Sequence, residues 1–221
     1  MNLGQLESRI GQKLGDPNNV EFTTTIIDKA VNDAQERIVL ETKCLTDTQS
    51  ISIVAGTREY DLPTNYLITE GVKIDDTPLD PTTKKDLDFY AGSSWNDLEG
   101  FPTQYYIDNE DPDTLKLGFD TKPQTAGTDN CKHLFIVNPT DLALSASIPF
   151  DSNTLLYPYH KILVHEVVQD LLQGKQLTSD IQAKIAFHQK EVDKLIYKIK
   201  SVFKNASNSK LRMKGGRVWH Y

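Results

Sequence analysis

The stretch Ser50-Ile51-Ser52-Ile53-Val54-Ala55-Gly56-Thr57-Arg58-Glu59-Tyr60-Asp61-Leu62-Pro63 decides how this chain is read. Apolar and polar residues alternate from Ser50 to Ile53, the period of a strand with one buried face. Ala55-Gly56-Thr57 turns the chain, Glu59–Leu62 returns as a second strand, and Pro63 closes it because proline has no N–H to give a ladder. Short strands are expected again around Ile68–Ile74, Gln104–Ile107, Thr114–Phe119 and His133–Val137. The turn-rich pieces Asp75-Asp76-Thr77-Pro78, Asp111-Pro112-Asp113 and 123–130 separate them, and Lys84–Tyr90 reads as a short helix. Short strands at intervals predict an antiparallel β-sandwich or barrel-like region.

On the N-terminal side the period is helical. Leu3, Leu6, Ile10 and Leu14 share one face, and Gly15-Asp16-Pro17 stops that helix. A second helix is expected from Thr25, where Thr25 and Asp28 have capping-box spacing; Ile27, Ala30, Val31, Ala34 and Ile38 form its apolar stripe. Beyond Ser152 helices return. In Tyr159–Leu172 the residues Ile162, Leu163, Val164, Val167, Val168, Leu171 and Leu172 cover about half the circumference at about 100° per residue, so this helix needs neighbours on more than one side. Gly174 ends it. Ser179 and Gln182 have capping-box spacing for a last helix whose Ile185, His188, Val192, Leu195, Ile199 and Val202 form a seam.

The expected fold is therefore α+β. N- and C-terminal amphipathic helices (residues 1–47 and 151–204) form a helical bundle, a β-rich insertion occupies 48–150, and 205–221 is an extended basic tail. The whole chain of 221 residues carries −7, but residues 194–221 hold eight Lys and Arg and no Asp or Glu. That segment is +8 and leaves −15 on residues 1–193. Lys210, Leu211, Arg212, Lys214, Arg217, Val218, Trp219 and Tyr221 are the candidate docking residues: cations for an acidic partner surface, with Trp219 and Tyr221 as anchors. The same segment also fits nucleic acid, with cations on phosphates and rings on bases, although a −15 body repels the same phosphates.

Signals for catalysis or cofactors are missing: there is no phosphate-binding glycine loop, no G-x-S-x-G and no H-E-x-x-H. His160 and His165 are five apart, too far round a helix to share a metal; His165 reads as solvated and His188 as a hydrogen-bonded core histidine. Asp108–Asp113 lacks the glycine and terminal Glu of a calcium loop and reads as a solvated hairpin loop. Cys44 and Cys131 read as inert packing thiols of a reducing compartment. No apolar run approaches the length of about 18 residues that a membrane helix needs. No enzyme activity, cofactor or metal is expected.

Five elements in fixed order carry a resemblance. They are Val31-Asn32-Asp33-Ala34, Gly56-Thr57-Arg58-Glu59-Tyr60-Asp61-Leu62-Pro63, Val72-Lys73-Ile74-Asp75-Asp76-Thr77-Pro78-Leu79, Gly100-Phe101-Pro102-Thr103-Gln104-Tyr105-Tyr106 and Ser147-Ile148-Pro149-Phe150-Asp151. Over roughly residues 20–200 the chain resembles tailed-bacteriophage head–tail adaptor (connector) proteins. The strand pair after Tyr106 is more acidic than that pattern. The resemblance implies a homo-oligomeric ring, commonly of about twelve copies, in the virion neck at the head–tail interface, assembled in the host cytoplasm. The portal protein would lie on one side and a downstream tail or neck protein on the other. Double-stranded DNA would pass through the channel without sequence readout during ejection. It also implies that residues 205–221 grip the portal.

Overall fold

The computed structural model describes residues 1–109 and 114–212. It separates into two compact units: a helical unit of residues 1–45 with the chain from Pro139 onward, and a β unit of residues 46–138.

In the helical unit, α1 (Leu3–Leu14) starts with a reciprocal cap. The Asn2 side chain accepts the Gln5 N–H and the Gln5 side chain accepts the Asn2 N–H; Gly15, at φ 80, ends the helix. The carboxylate of Asp16 then gathers the loop by accepting N–H groups from Val20, Glu21 and Phe22 at 2.9, 2.7 and 2.9 Å. α2 (Thr24–Thr42) begins one residue before the expected Thr25, and Thr23 occupies its cap position without a side-chain bond. The Thr25–Asp28 capping box is therefore not formed. α4 (Lys161–Gln173) is the middle of the bundle and packs against α1, α2 and the last helix, α5 (Ser179–Arg212), which accounts for its broad apolar arc. The N-terminal cap of α5 is Thr178, whose hydroxyl accepts the Ile181 N–H, and not Ser179.

The return to the helical unit comes at Pro139, ahead of the Asp151 expected from the sequence. Residues 139–150 carry little regular structure, and several of their backbone groups bond to the helices they cross. The N–H groups of Leu3 and Gly4 donate to the carbonyls of Ser147 and Ser145. Asn32 binds both backbone groups of Leu142, accepting its N–H at 2.9 Å and donating to its carbonyl at 3.4 Å. Fully buried Gln35 accepts the Phe150 N–H at 2.8 Å and donates to Asn32. Phe150 is itself buried with φ 56, a backbone conformation unfavourable for a side chain that size. Gln35→Leu is expected to cost about 2–3 kcal/mol by leaving that N–H buried and unpaired; equilibrium denaturation of the helical signal measures it.

The β unit contains β1 (Thr46–Ile53), β2 (Glu59–Asp61), β3 (Tyr66–Ile74), β4 (Thr77–Pro78), β5 (Asp80–Pro81), β6 (Glu99–Gly100), β7 (Gln104–Asp108), β8 (Lys116–Phe119), β9 (Lys122–Pro123) and β10 (Gly127–Val137), with α3 (Lys84–Ala91) between β5 and β6. They form two open four-stranded sheets, ordered β1-β10-β3-β4 and β2-β8-β7-β5, plus the pair β6–β9; no closed barrel is formed among the described residues. The longer pairs are antiparallel, while the two-residue contacts β5–β7 and β6–β9 are parallel. Side chains from both four-stranded sheets share one cluster, with Ile51, Val72, Ile74 and Cys131 from the first and Tyr105, Leu117 and Phe119 from the second.

The stretch Ser50–Pro63 does turn, but it does not make a hairpin. β1 pairs with β10 and β2 with β8, so the turn carries the chain from one sheet to the other. Gly56 sits at φ 79 and donates its N–H to Pro123, while the Tyr60 hydroxyl accepts the Val54 N–H at 2.9 Å.

Candidate partner-docking surfaces

Residues that recur in the five sequence elements build structure. Arg58 donates to the Asn96 side chain at 2.8 Å and to the carbonyls of Trp95 and Asn96, with its guanidinium 4.4 Å from the Trp95 ring centroid. Glu59 accepts the Tyr106 hydroxyl at 2.9 Å and lies 3.4 Å from the Lys84 ammonium, which also binds Asp108. Burial first, then Glu59, pushes the Tyr106 phenol well above its ordinary pKa. Asp108, read from sequence as part of a solvated loop, is thus tied to α3; residues 110–113 of that run lie outside the described residues.

His165, expected in water, instead meets buried His188 across α4 and α5 with Nδ1 to Nδ1 at 2.9 Å. Burial holds His188 at about 4 and lowers His165 as well, so at neutral pH both rings are uncharged and one must donate to the other. No group of three or more His, Cys, Asp and Glu side chains gathers among the described residues in a way that would hold a metal ion. Burial raises both thiols, Cys131 to about 11, which makes them poor nucleophiles at neutral pH. No helix among the described residues is long and apolar enough to cross a membrane.

Of the eight candidate docking residues, Lys210, Leu211 and Arg212 form the last positions of α5, which runs beyond the expected end at residue 204. Helix propagation needs only one more backbone bond per residue, so a helix already established along α4 continues through the weak formers Asn205, Ser207, Asn208 and Ser209. Lys214, Arg217, Val218, Trp219 and Tyr221 lie outside the described residues.

Two surfaces that the sequence reading missed carry pairs of exposed aromatic rings. On α5, Val192, Leu195, Ile196 and Ile199 face the bundle. At about 100° per residue, Phe187, Lys190, Lys194, Tyr197 and Lys198 fall on the opposite face. All five are exposed, Phe187 to 54% and Tyr197 to 76%. On α3, Phe89 and Tyr90 are exposed to 82% and 83% and meet edge to face at 5.2 Å. Single exposed apolar residues are common on protein surfaces, whereas contiguous apolar patches mark interaction sites, and each of these pairs contributes to one. On α5 the sequence signal that could have found them is the position of Phe187 and Tyr197 on the polar side of the Ile185–Val202 seam.

Charge divides by unit. Residues 46–138 contain seventeen Asp and Glu against seven Lys and Arg, a net −10, which leaves +3 on the remainder. A family model described as "SU10 adaptor protein" matches residues 1–213 of the chain. No curated protein matches it.

Proposed function

Because the chain belongs to the SU10 adaptor protein family, a phage head–tail adaptor family, we propose that it is a structural connector subunit. It forms a ring below the portal protein and joins capsid to tail around the DNA channel. The observation that carries this reading is the extent of the family match, which spans residues of both units and the whole of α5. The protein works by binding, without catalysis or a cofactor, at the head–tail junction of the virion after assembly in the host cytoplasm.

Residues 205–221 dock on the portal. Lys210, Arg212, Lys214 and Arg217 meet an acidic surface, Leu211 and Val218 add apolar contact, and Trp219 and Tyr221 anchor the end. The β unit, acidic throughout its sequence, faces the downstream neck or tail protein. Acidic subunits around a channel let DNA slide, because like charge prevents phosphates from sticking. A nucleic-acid-binding role for the basic segment is the second reading, favoured by the +8 of residues 194–221.

Mixing the chain with purified portal protein and imaging by electron microscopy tests the assignment. Rings seated on one end of the portal are expected for the full chain, and their loss when the chain is cut after Arg212. No rings and no co-sedimentation would overturn the adaptor reading. Duplex DNA affinity that falls steeply with salt and disappears with the same truncation would favour the second reading.

A further inference from the structure

A closed ring of identical subunits is held by a heterologous contact, so each copy must carry two unlike surfaces that fit each other. Two exposed surfaces of unlike character on this chain are the candidates. The first is the outward face of α5, with three exposed lysines, Lys190, Lys194 and Lys198, around the rings of Phe187 and Tyr197. Lys194 makes an exposed pair with Glu191 at 3.3 Å, one turn away on the same helix. Such a pair contributes little and yields readily to a better partner.

The second surface is α3 with the turn that follows it. Phe89 and Tyr90 are exposed there, with exposed Asp86 and Asp88 on the same helix and exposed Asp97 and Glu99 after it; Lys85 is the exposed cation of α3, and Lys122 pairs with Asp97 at 3.7 Å. Asp86 accepts from Thr83 and Asp88 from the Trp95 indole, which orients both carboxylates and leaves lone pairs for further donors. Beside Tyr90 an open recess of about 550 Å³ is lined by Thr82, Asp86, Leu87, Tyr90 and Gln104. It is wide enough for one aromatic side chain.

Resting on the ring reading above, we propose that the outward face of α5 in one copy docks on the α3 surface of the β unit in the next copy. Lysines meet carboxylates, and the rings of Phe187 and Tyr197 meet Phe89 and Tyr90. Charge selects this occupant. A surface with Asp86, Asp88, Asp97 and Glu99 disfavours nucleic acid and acidic proteins, whereas Lys190, Lys194 and Lys198 on the outward face of α5 offer it cations. Aromatic faces with a carboxylate rim also suit lysine ammonium groups through cation–π attraction. The arrangement leaves residues 205–221 free for the portal, so lateral and axial contacts use different parts of the C-terminal segment.

Cross-linking between copies tests this. A Phe89→Cys chain is mixed with a Tyr197→Cys chain and oxidised; Cys44 and Cys131 are buried and stay out of the reaction. The mixed disulfide dimer is expected to exceed, by about tenfold, the yield from Phe89→Cys with a Val20→Cys control. Lys194→Glu with Lys198→Glu on the second chain should remove that excess, and Asp86→Lys with Asp97→Lys on the first should restore it. A yield no greater than the control, or one indifferent to charge reversal, would overturn the proposal. So would a chain carrying both cysteines that closes only on itself. All these positions are exposed, and far-ultraviolet dichroism checks that each variant is folded. Portal co-sedimentation of the same samples separates the two readings. Rings on the portal without the 89–197 bond sink this contact alone, whereas no portal binding sinks the adaptor assignment.

Discussion

Gly118→Ala is expected to destabilise the β unit by about 3 kcal/mol, and Gly118→Val to prevent it from folding. Gly118 lies in β8, paired across to Glu59 of β2 on one side and to Tyr106 of β7 on the other. A Cβ at this position would stand 2.2 Å from Cζ and 2.4 Å from Cε2 of the Tyr106 ring. That ring cannot swing away. It is buried, its edge meets Trp95 at 5.8 Å, and its hydroxyl is bonded to Glu59. The requirement at Gly118 is close approach between a backbone and a ring, not an unusual backbone angle. Denaturant titration followed by the near-ultraviolet signal of Trp95 measures the loss. Tyr106→Phe should not rescue Gly118→Ala, because the clashing ring carbons remain. Tyr106→Leu should recover part of it, and a full additive loss in that double variant would refute the clash as the cause.

Gly118 shows where sequence reading stops. The strand around it is legible from its length and turns, and so is the helical spacing in Leu3–Leu14 or Ile162–Leu172, because both are local periods. Partnership is not local. Alternation at Ser50–Ile53 and Glu59–Leu62 names two strands, yet nothing in it says that they belong to different sheets with β10 and β8 as neighbours. The early return at Pro139 was hidden for the same reason: Asn32 and Gln35 look like ordinary polar residues of a helix until the strap they hold is seen. Capping signals failed by small shifts, since Thr23, Thr25, Thr178 and Ser179 are chemically equivalent choices and packing decides among them. Of the docking surfaces, the basic run was plain as composition. Phe89 and Tyr90 were not, because an aromatic in a short helix is normally assigned to the core.

Acid should begin to destabilise both units above the pH at which most carboxylates titrate. His133 in the β unit, and His160 and His188 in the helical unit, are buried and held at about 4 against an ordinary 6.5. Burial is the first cause in each. The Met1 amino group beside His160 and the His165 ring beside His188 push the same way. The folded rings are neutral, while in the unfolded chain each takes up a proton below about 6.5, so unfolding binds protons and acid favours it. Their stabilising contribution is complete above about 6.5 and declines until the folded rings protonate near 4. The lowering corresponds to about 3 kcal/mol per ring, for one ring in the β unit and two in the helical unit, a sizeable fraction of the stability of a typical domain in each. Two carboxyls oppose the trend. Burial raises both Glu7, helped by neighbouring Asp28, and Glu166, so acidification relieves their strain over the lower part of the same window. Both acids belong to the helical unit, where two buried rings outweigh two partly exposed acids, so the net slope should be downward in both units. Thermal midpoints followed between pH 8 and pH 4.5 (about one unit per step) are expected to hold steady at first and then fall steeply below about 6.5. His133→Phe keeps the stack on Phe135, whose ring lies 5.2 Å away, and should flatten the fall for the β unit alone. A midpoint that does not move down to pH 4.5 would mean that the histidines are not held neutral by the fold.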